Sequence, residues 1–203
     1  MGDPQESFYK LAPHLVDSEV SSDGKIQYAD RRFVFFHSDM FAELFDNMED
    51  VAGPVIQRKV KDFGFQAGKE IAEKMDEDFK DVGLLELLRL LFATWFDIGN
   101  MLAIRPTDPE AQMQKIFGYG RYVGWLGPAT ILEYEEGHAV FRFEDTFESY
   151  SYGETGEVEC RFTTGVIKGL CAFYWNDDDL EAEHEKCRCK GDEYGKTVIQ
   201  RAS

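Results

Sequence analysis

The chain has 203 residues, of which 39 are Asp or Glu and 22 are Lys or Arg, giving a formal net charge of −17. That balance repels polyanions, which argues against nucleic acid and anionic membrane as partners and reads most simply as solubility. The length and a hydrophobic share of 43% allow one sizeable core, and 17 Phe, 9 Tyr and 3 Trp are enough rings to fill it or to line a pocket as well.

The first stretch, MGDPQESFYKLAPHL, lacks the basic and apolar regions of a signal peptide. The most apolar run, 83–98, is too short to span a bilayer and contains Glu86, Arg89 and Asp97. These features indicate a cytoplasmic protein without an integral membrane segment. Four unevenly spaced cysteines in a reducing compartment then read as thiols or metal ligands before disulfides.

Residues 1–30 are polar and form an N-terminal arm; 31–203 form a single domain. RRFVFFHS is rich in strand formers and ends at a Ser/Asp helix start. SDMFAELFDNM follows as a short helix with Met40, Phe41, Leu44, Phe45 and Met48 on one apolar face. Gly53-Pro54 breaks the chain and opens a longer helix, in which Gly64 and Gly68 share a face. Two interior glycines cost about 2 kcal/mol relative to alanine, so close helix packing or a ligand against the backbone is the expected compensation. Residues 83–99 are apolar around most of a helical circumference, as in a helix buried on several sides.

Asp108-Pro109 can cap a helix running through Phe117. GYGRYVGWLG then has neither the Lys-Ser/Thr nor the glycine spacing of a phosphate loop and is expected to be an aromatic connector. Residues 131–135 and 139–144 form a hairpin around Glu136-Gly137. Residues 156–175 read as a helix with a second glycine pair, Gly165 and Gly169. LEAEHEKCRC and KTVIQRA close the domain as two strands around KGDEYG. Strand, helices, hairpin, helix, hairpin is an α+β order with helices packed on a mainly antiparallel sheet.

Cys160 and Cys171, eleven residues apart on one helix, would be separated by about 16 Å along its axis. They cannot share one zinc, whose thiolates lie within roughly 4 Å of each other. Cys171 is therefore expected to be a small buried hydrophobe. Cys187 and Cys189, two apart on a strand, project to one face and could approach Cys160 if the last hairpin packs on the helix start. His184 would be the nearest nitrogen ligand, and Glu185 or Asp192 an oxygen ligand. Spacing by itself leaves both packed thiols and a metal site open.

CRFTTGVIKGL followed by EHEKCRCKGDEYG resembles the vinyl-reductase-type (4-vinyl reductase) small-molecule-binding domain, through Cys160, Gly165, Gly169, Cys187, Gly191 and Asp192. The resemblance covers residues 30–202 and is most specific at 157–202. It implies the fold of the TRAPP vesicle-tethering subunits, a homodimer, and a hydrophobic ligand chamber like that of phenol- and hydrocarbon-sensing bacterial activators. It also implies a structural zinc, here held by Cys160, His184, Cys187 and Cys189. His184 stands where the pattern has Glu, and Gly195 stands where it has the last Cys. Phe143 falls where the aromatic sensors place a pocket ring, and Phe92, Trp95, Phe96, Tyr122 and Trp125 are the other candidate lining rings.

The leading expectation is a sensor or carrier module for a small hydrophobic or aromatic molecule. With no ATPase motif and no basic DNA-reading helix in these residues, it would signal through a separate partner. The alternative is a dimeric interaction scaffold like the tethering subunits. A role in tetrapyrrole vinyl reduction ranks third, because there is no nucleotide fingerprint, no Ser-His-Asp or Cys-His set and no base beside Cys160. No catalytic residue is assigned.

Overall fold

The computed structural model describes residues 18–20, 26–28, 31–33, 38–80 and 108–202. Strands β1 (Ser18–Val20), β2 (Ile26–Tyr28) and β3 (Arg31–Phe33) form a small antiparallel sheet. The first two of them fall inside the segment expected to be an arm.

Helix α1 (Ser38–Ala52) ends at Gly53, whose φ of +63° lets the chain turn sharply into α2 (Val55–Lys80). The apolar face expected of α1 is only partly used. Phe41, Ala42 and Phe45 turn inward, whereas Met40, Leu44 and Met48 stay exposed. Apolar periodicity gives the stripe but not how much of it is covered.

Helix α3 (Pro109–Tyr122) starts as expected: Asp108 accepts a hydrogen bond from the Ala111 amide at 2.9 Å, and Pro109 opens the first turn. It does not stop at Phe117. It runs on through Gly118 and Gly120, and the connector begins only at Val123. Trp125 and Leu126 fold back on that last turn, both amides donating to the Gly120 carbonyl (2.8 and 3.2 Å). A β-carbon at Gly120 would lie 2.9 Å from the Trp125 ring, so this glycine makes room for the indole.

Strands β4 (Ala129–Glu135) and β5 (His138–Phe143) form the expected hairpin, with Gly137 at φ +89°. A short helix, α4 (Phe147–Tyr152), follows where no helix was expected. A reciprocal cap between Thr146 and Ser149 holds its first turn. Helix α5 (Arg161–Trp175) is shorter than the expected 156–175, because residues 156–160 lie outside it and Cys160 is its N-cap. Strands β6 (Leu180–Lys186) and β7 (Gly195–Arg201) complete a four-stranded antiparallel sheet in the order β4-β5-β7-β6. The fold class is α+β.

Alternate residues of β5 (Ala139, Phe141, Phe143) meet Met113, Ile116 and Phe117 of α3 and Val166, Ile167 and Leu170 of α5 in the core. Cys171 is fully buried there. Helices α2 and α5 cross at backbone contact. A β-carbon on Gly64 or Gly68 would run into the carbonyls of Phe162 and Val166, and one on Gly165 or Gly169 into those of Lys61 and Phe65. The two glycine pairs are thus each other's compensation. No described helix is long and apolar enough to cross a membrane.

Candidate metal centre

The start of α5 and the loop after β6 bring three sulfurs together. Cys160 is fixed by the first turn of α5, where its carbonyl accepts from the Thr164 amide and hydroxyl. Cys187 leaves the end of β6 in extended conformation. Cys189 does not continue the strand, as had been expected. It sits in a 3-10 turn, Arg188–Lys190, that closes on Gly191 at φ +95°. The Cys187 carbonyl accepts from the amides of Lys190 and Asp192, and the Asp192 carboxylate accepts from the Cys187 amide. This turn, rather than strand pleat, points both sulfurs the same way.

Cys160, Cys187 and Cys189 are 2%, 0% and 0% exposed, and their sulfurs all lie within 4.8 Å of one another. The Cys160 and Cys187 sulfurs are 3.5 Å apart and not bonded. The contact splits their acidities. Sulfur hydrogen bonds with Cys160 and Cys189 hold Cys187 below the ordinary thiol range, and those with Cys187 and Cys189 push Cys160 up. A second or third thiolate in this buried volume would meet strong like-charge repulsion unless a cation joined them. Three convergent thiols are a donor set that suits a soft or borderline divalent metal ion.

The fourth position is less complete. His184 stands outside the three-sulfur group, with Nδ1 2.7 Å from the Thr197 hydroxyl. Its Nε2 is buried and has no hydrogen-bond partner. The ring is near enough to the Cys187 sulfur to help hold it as a thiolate. A β-carbon at Gly195 would lie 3.5 Å from that Nε2, so the imidazole fills the space beside this glycine. A buried imidazole nitrogen without a close hydrogen-bond partner, yet near enough to Cys187 to influence it, suits the role of fourth donor to an ion at these thiols. The two oxygen candidates are used elsewhere: Glu185 pairs with Lys196 at 2.6 Å, and Asp192 holds its own turn.

Sequence reasoning missed Glu148. This carboxylate is 2% exposed and accepts from the amides of Phe162 and Thr163, both at 2.8 Å, across the first turn of α5. It does for the helix what an N-cap side chain usually does, since Cys160 itself makes no side-chain cap. Burial raises its pKa to about 7 against those hydrogen bonds. The DTFES stretch carried the local signal, a Thr three residues before a Ser at a helix start, but nothing in the chain links it to residues 162 and 163.

A groove of about 360 Å³ adjoins the cysteines, lined by Trp125, Leu126, Asp145, Thr146, Phe147 and Tyr150 among others. Thr146 belongs to both places, its hydroxyl lying 3.4 Å from the Cys160 sulfur. Trp125 Nε1 donates to the Thr163 hydroxyl at 3.2 Å. Phe143 does not line this groove; it is fully buried edge-on to Phe117 at 6.0 Å and borders a smaller pocket with Thr146, Cys160 and His184. Tyr122 is 36% exposed on the last turn of α3. Phe92, Trp95 and Phe96 lie outside the described residues. A second groove, of about 460 Å³ at the edge of β6, is lined by Lys61, Lys168 and three glutamates, and is polar rather than oily.

No family model matches the chain, and no curated protein does. Among solved structures, it is similar to the phenol-responsive sensory domain of the transcription activator PoxR with phenol, at a TM-score of 0.72 and 14% identity. That match covers 99% of this chain and 91% of the other. The chain has the fold of that sensory domain. A trafficking protein particle complex subunit 3 from Naegleria fowleri, covalently bound to palmitic acid, also matches. Its TM-score is 0.47 at 13% identity, over 82% of this chain and 95% of that one.

Proposed function

We propose that this protein is a binding module, a sensor or carrier, for a small hydrophobic or aromatic molecule, and that a structural zinc ion pins its last hairpin to α5. The observation that carries the reading is Thr146, which lines the aromatic groove and touches the Cys160 sulfur. Similarity in fold to a domain that responds to phenol supports the ligand class. The candidate chamber rings are Trp125 in the groove, Phe143 in the smaller pocket that shares Thr146 with it, Tyr122 on the last turn of α3, and Phe92, Trp95 and Phe96, which lie outside the described residues.

Cys160, Cys187 and Cys189 would hold zinc through sulfur, and the His184 imidazole would supply the remaining donor. Zinc in such a set adds folding free energy and leaves no open position for hydrolysis. The residues' own work is positional: Glu148 fixes the start of α5, and the 3-10 turn sets the other two sulfurs. The vinyl-reductase-type family, a homodimer and a cytoplasmic location are part of the same reading, and no catalytic step is assigned.

Native mass spectrometry with metal analysis tests metal and subunit number together, and calorimetry with phenol and toluene tests the ligand class. We expect one zinc per chain, a dimer, and saturable binding of at least one probe. Metal-free protein that binds neither probe would sink the reading. The scaffold alternative is favoured by one feature, the exposed apolar side of α1.

A further inference from the structure

The exposed side of α1 breaks two local rules at once. Met40, Leu44, Met48 and Val51 are 55%, 55%, 40% and 89% exposed, and Val55, just past the turn, is 62% exposed. At helical periodicity the first four fall on one stripe about 80° wide. Beside it runs an acidic row, Glu43, Asp46 and Asp50, all exposed and none with a cationic partner among the described residues. Glu49 and Asp50 also sit in the last turn, which has no basic residue, against the negative end of the helix dipole. Glu49 has some relief from Arg161 at 3.8 Å. An apolar stripe on a monomer surface and acid at a helix C-terminus each oppose stability, and such departures mark sites kept for another purpose.

We propose that α1 docks a basic amphipathic helix of a partner protein. The partner's apolar face would cover Met40, Leu44, Met48 and Val51, and its Lys or Arg residues would meet Asp46, Asp50 and the last carbonyls of α1. Charge selects this occupant. A second copy would bring its own acidic row to the contact, whereas a cationic helix relieves both the row and the dipole. The inner side of α1 reaches the site already described. Phe41 packs edge-on against Phe147 (4.9 Å) and Phe162 (5.9 Å). Phe147 lines the Trp125 groove, and the Phe162 amide donates to the Glu148 carboxylate. The docked helix would thus lie across α1 from the ring cluster that borders the groove. This inference rests on α1 alone and survives if neither metal nor small molecule binds.

The test uses the full chain and a labelled synthetic peptide of Leu and Lys patterned as an amphipathic helix, with a scrambled peptide of the same composition as control. Fluorescence anisotropy should show saturable binding of the patterned peptide. The scrambled peptide, and the variants L44S/M48S and D46N/D50N with the patterned one, should each bind about tenfold more weakly. Equal binding of both peptides, or patterned binding untouched in L44S/M48S, overturns the proposal. So does a wild-type dimer that L44S/M48S splits while the peptide fails to compete, since the occupant is then a second copy. Thermal melts complete the set: an unchanged melt for L44S/M48S supports a free face, and a large drop shows that the chain covers this stripe itself and overturns the proposal.

Discussion

The middle and the start of α5 show two ways to fix a helix. Around Gly165 and Gly169 it is held by shape, the missing side chains admitting α2 to backbone contact. At its start it is held by chemistry: the Glu148 carboxylate accepts from the Phe162 and Thr163 amides, and the Cys160 sulfur meets two others where apolar packing would have been simpler. The first region is complete as it stands. The second brings together three sulfurs that could hold a metal ion.

The sharpest test of the shape-held part is the double variant G165A/G169A. Alanine in an ordinary helix interior would stabilise by about 1 kcal/mol per site. Here each methyl would meet a carbonyl of α2, and overpacking with no side chain free to yield costs about 3 kcal/mol per site. We expect the pair to lose most of the native stability in denaturant titration. A neutral or stabilised double variant would mean that the two helices do not cross at backbone contact in solution.

The chemistry-held part should answer to metal instead. If zinc is bound at about a thousandfold over its dissociation constant, linkage supplies about 4 kcal/mol. A chelator should therefore lower the melting temperature of the wild type, zinc should restore it, and C187S should respond to neither. Equal chelator sensitivity in C187S would place the ion elsewhere.

Glu148 separates the two regions by pH. In metal-free protein its pKa is raised from 4.5 to about 7 by burial, so the folded state holds this proton more tightly than the unfolded chain does. The sign follows: its burial carries no charge penalty below pH 4.5, stability falls as pH rises from 4.5 to about 7, and the loss is complete above that. A shift of this size corresponds to on the order of 3 kcal/mol. E148Q should flatten the slope in urea titrations across this window while leaving the glycine crossing intact. A wild type with no such slope would show that the carboxylate is solvated or paired in solution.

The same contrast explains what could be read from residue order. Glycine pairs four apart are visible in a sequence because shape is local: Gly64/Gly68 and Gly165/Gly169 pointed to close packing, and the structure supplied the partner. The hairpin at Gly137 and the cap at Asp108 were legible for the same reason. The run of α3 past Gly118 and Gly120 was not, because Trp125 rewards glycine there only after the chain has turned back. Glu148 was invisible because its partners are fourteen and fifteen residues away and are backbone amides, which no residue type announces. The inward and outward sides of α1 could not be told apart either, since Met40 and Phe41 look equally apolar until packing chooses between them.

The smallest expected effect asks whether groove and cysteines are one unit. W125F keeps a ring in the groove but removes the indole N–H that donates to the buried Thr163 hydroxyl, a net loss of about 1 kcal/mol. That hydroxyl also helps hold the Glu148 carboxylate, and the Thr163 amide bonds it directly. If the chain Trp125–Thr163–Glu148 stiffens the first turn of α5, W125F should speed labelling of Cys160 by a thiol reagent in metal-free protein, and toluene should slow it in the wild type only. If the groove is merely adjacent, labelling will be unchanged while toluene affinity alone responds. The distinction is physical: a sensor needs the ligand to bias an element with two arrangements, and the start of α5, held by one buried carboxylate and a shared set of thiols, is the element here whose hold could be altered by so small a change.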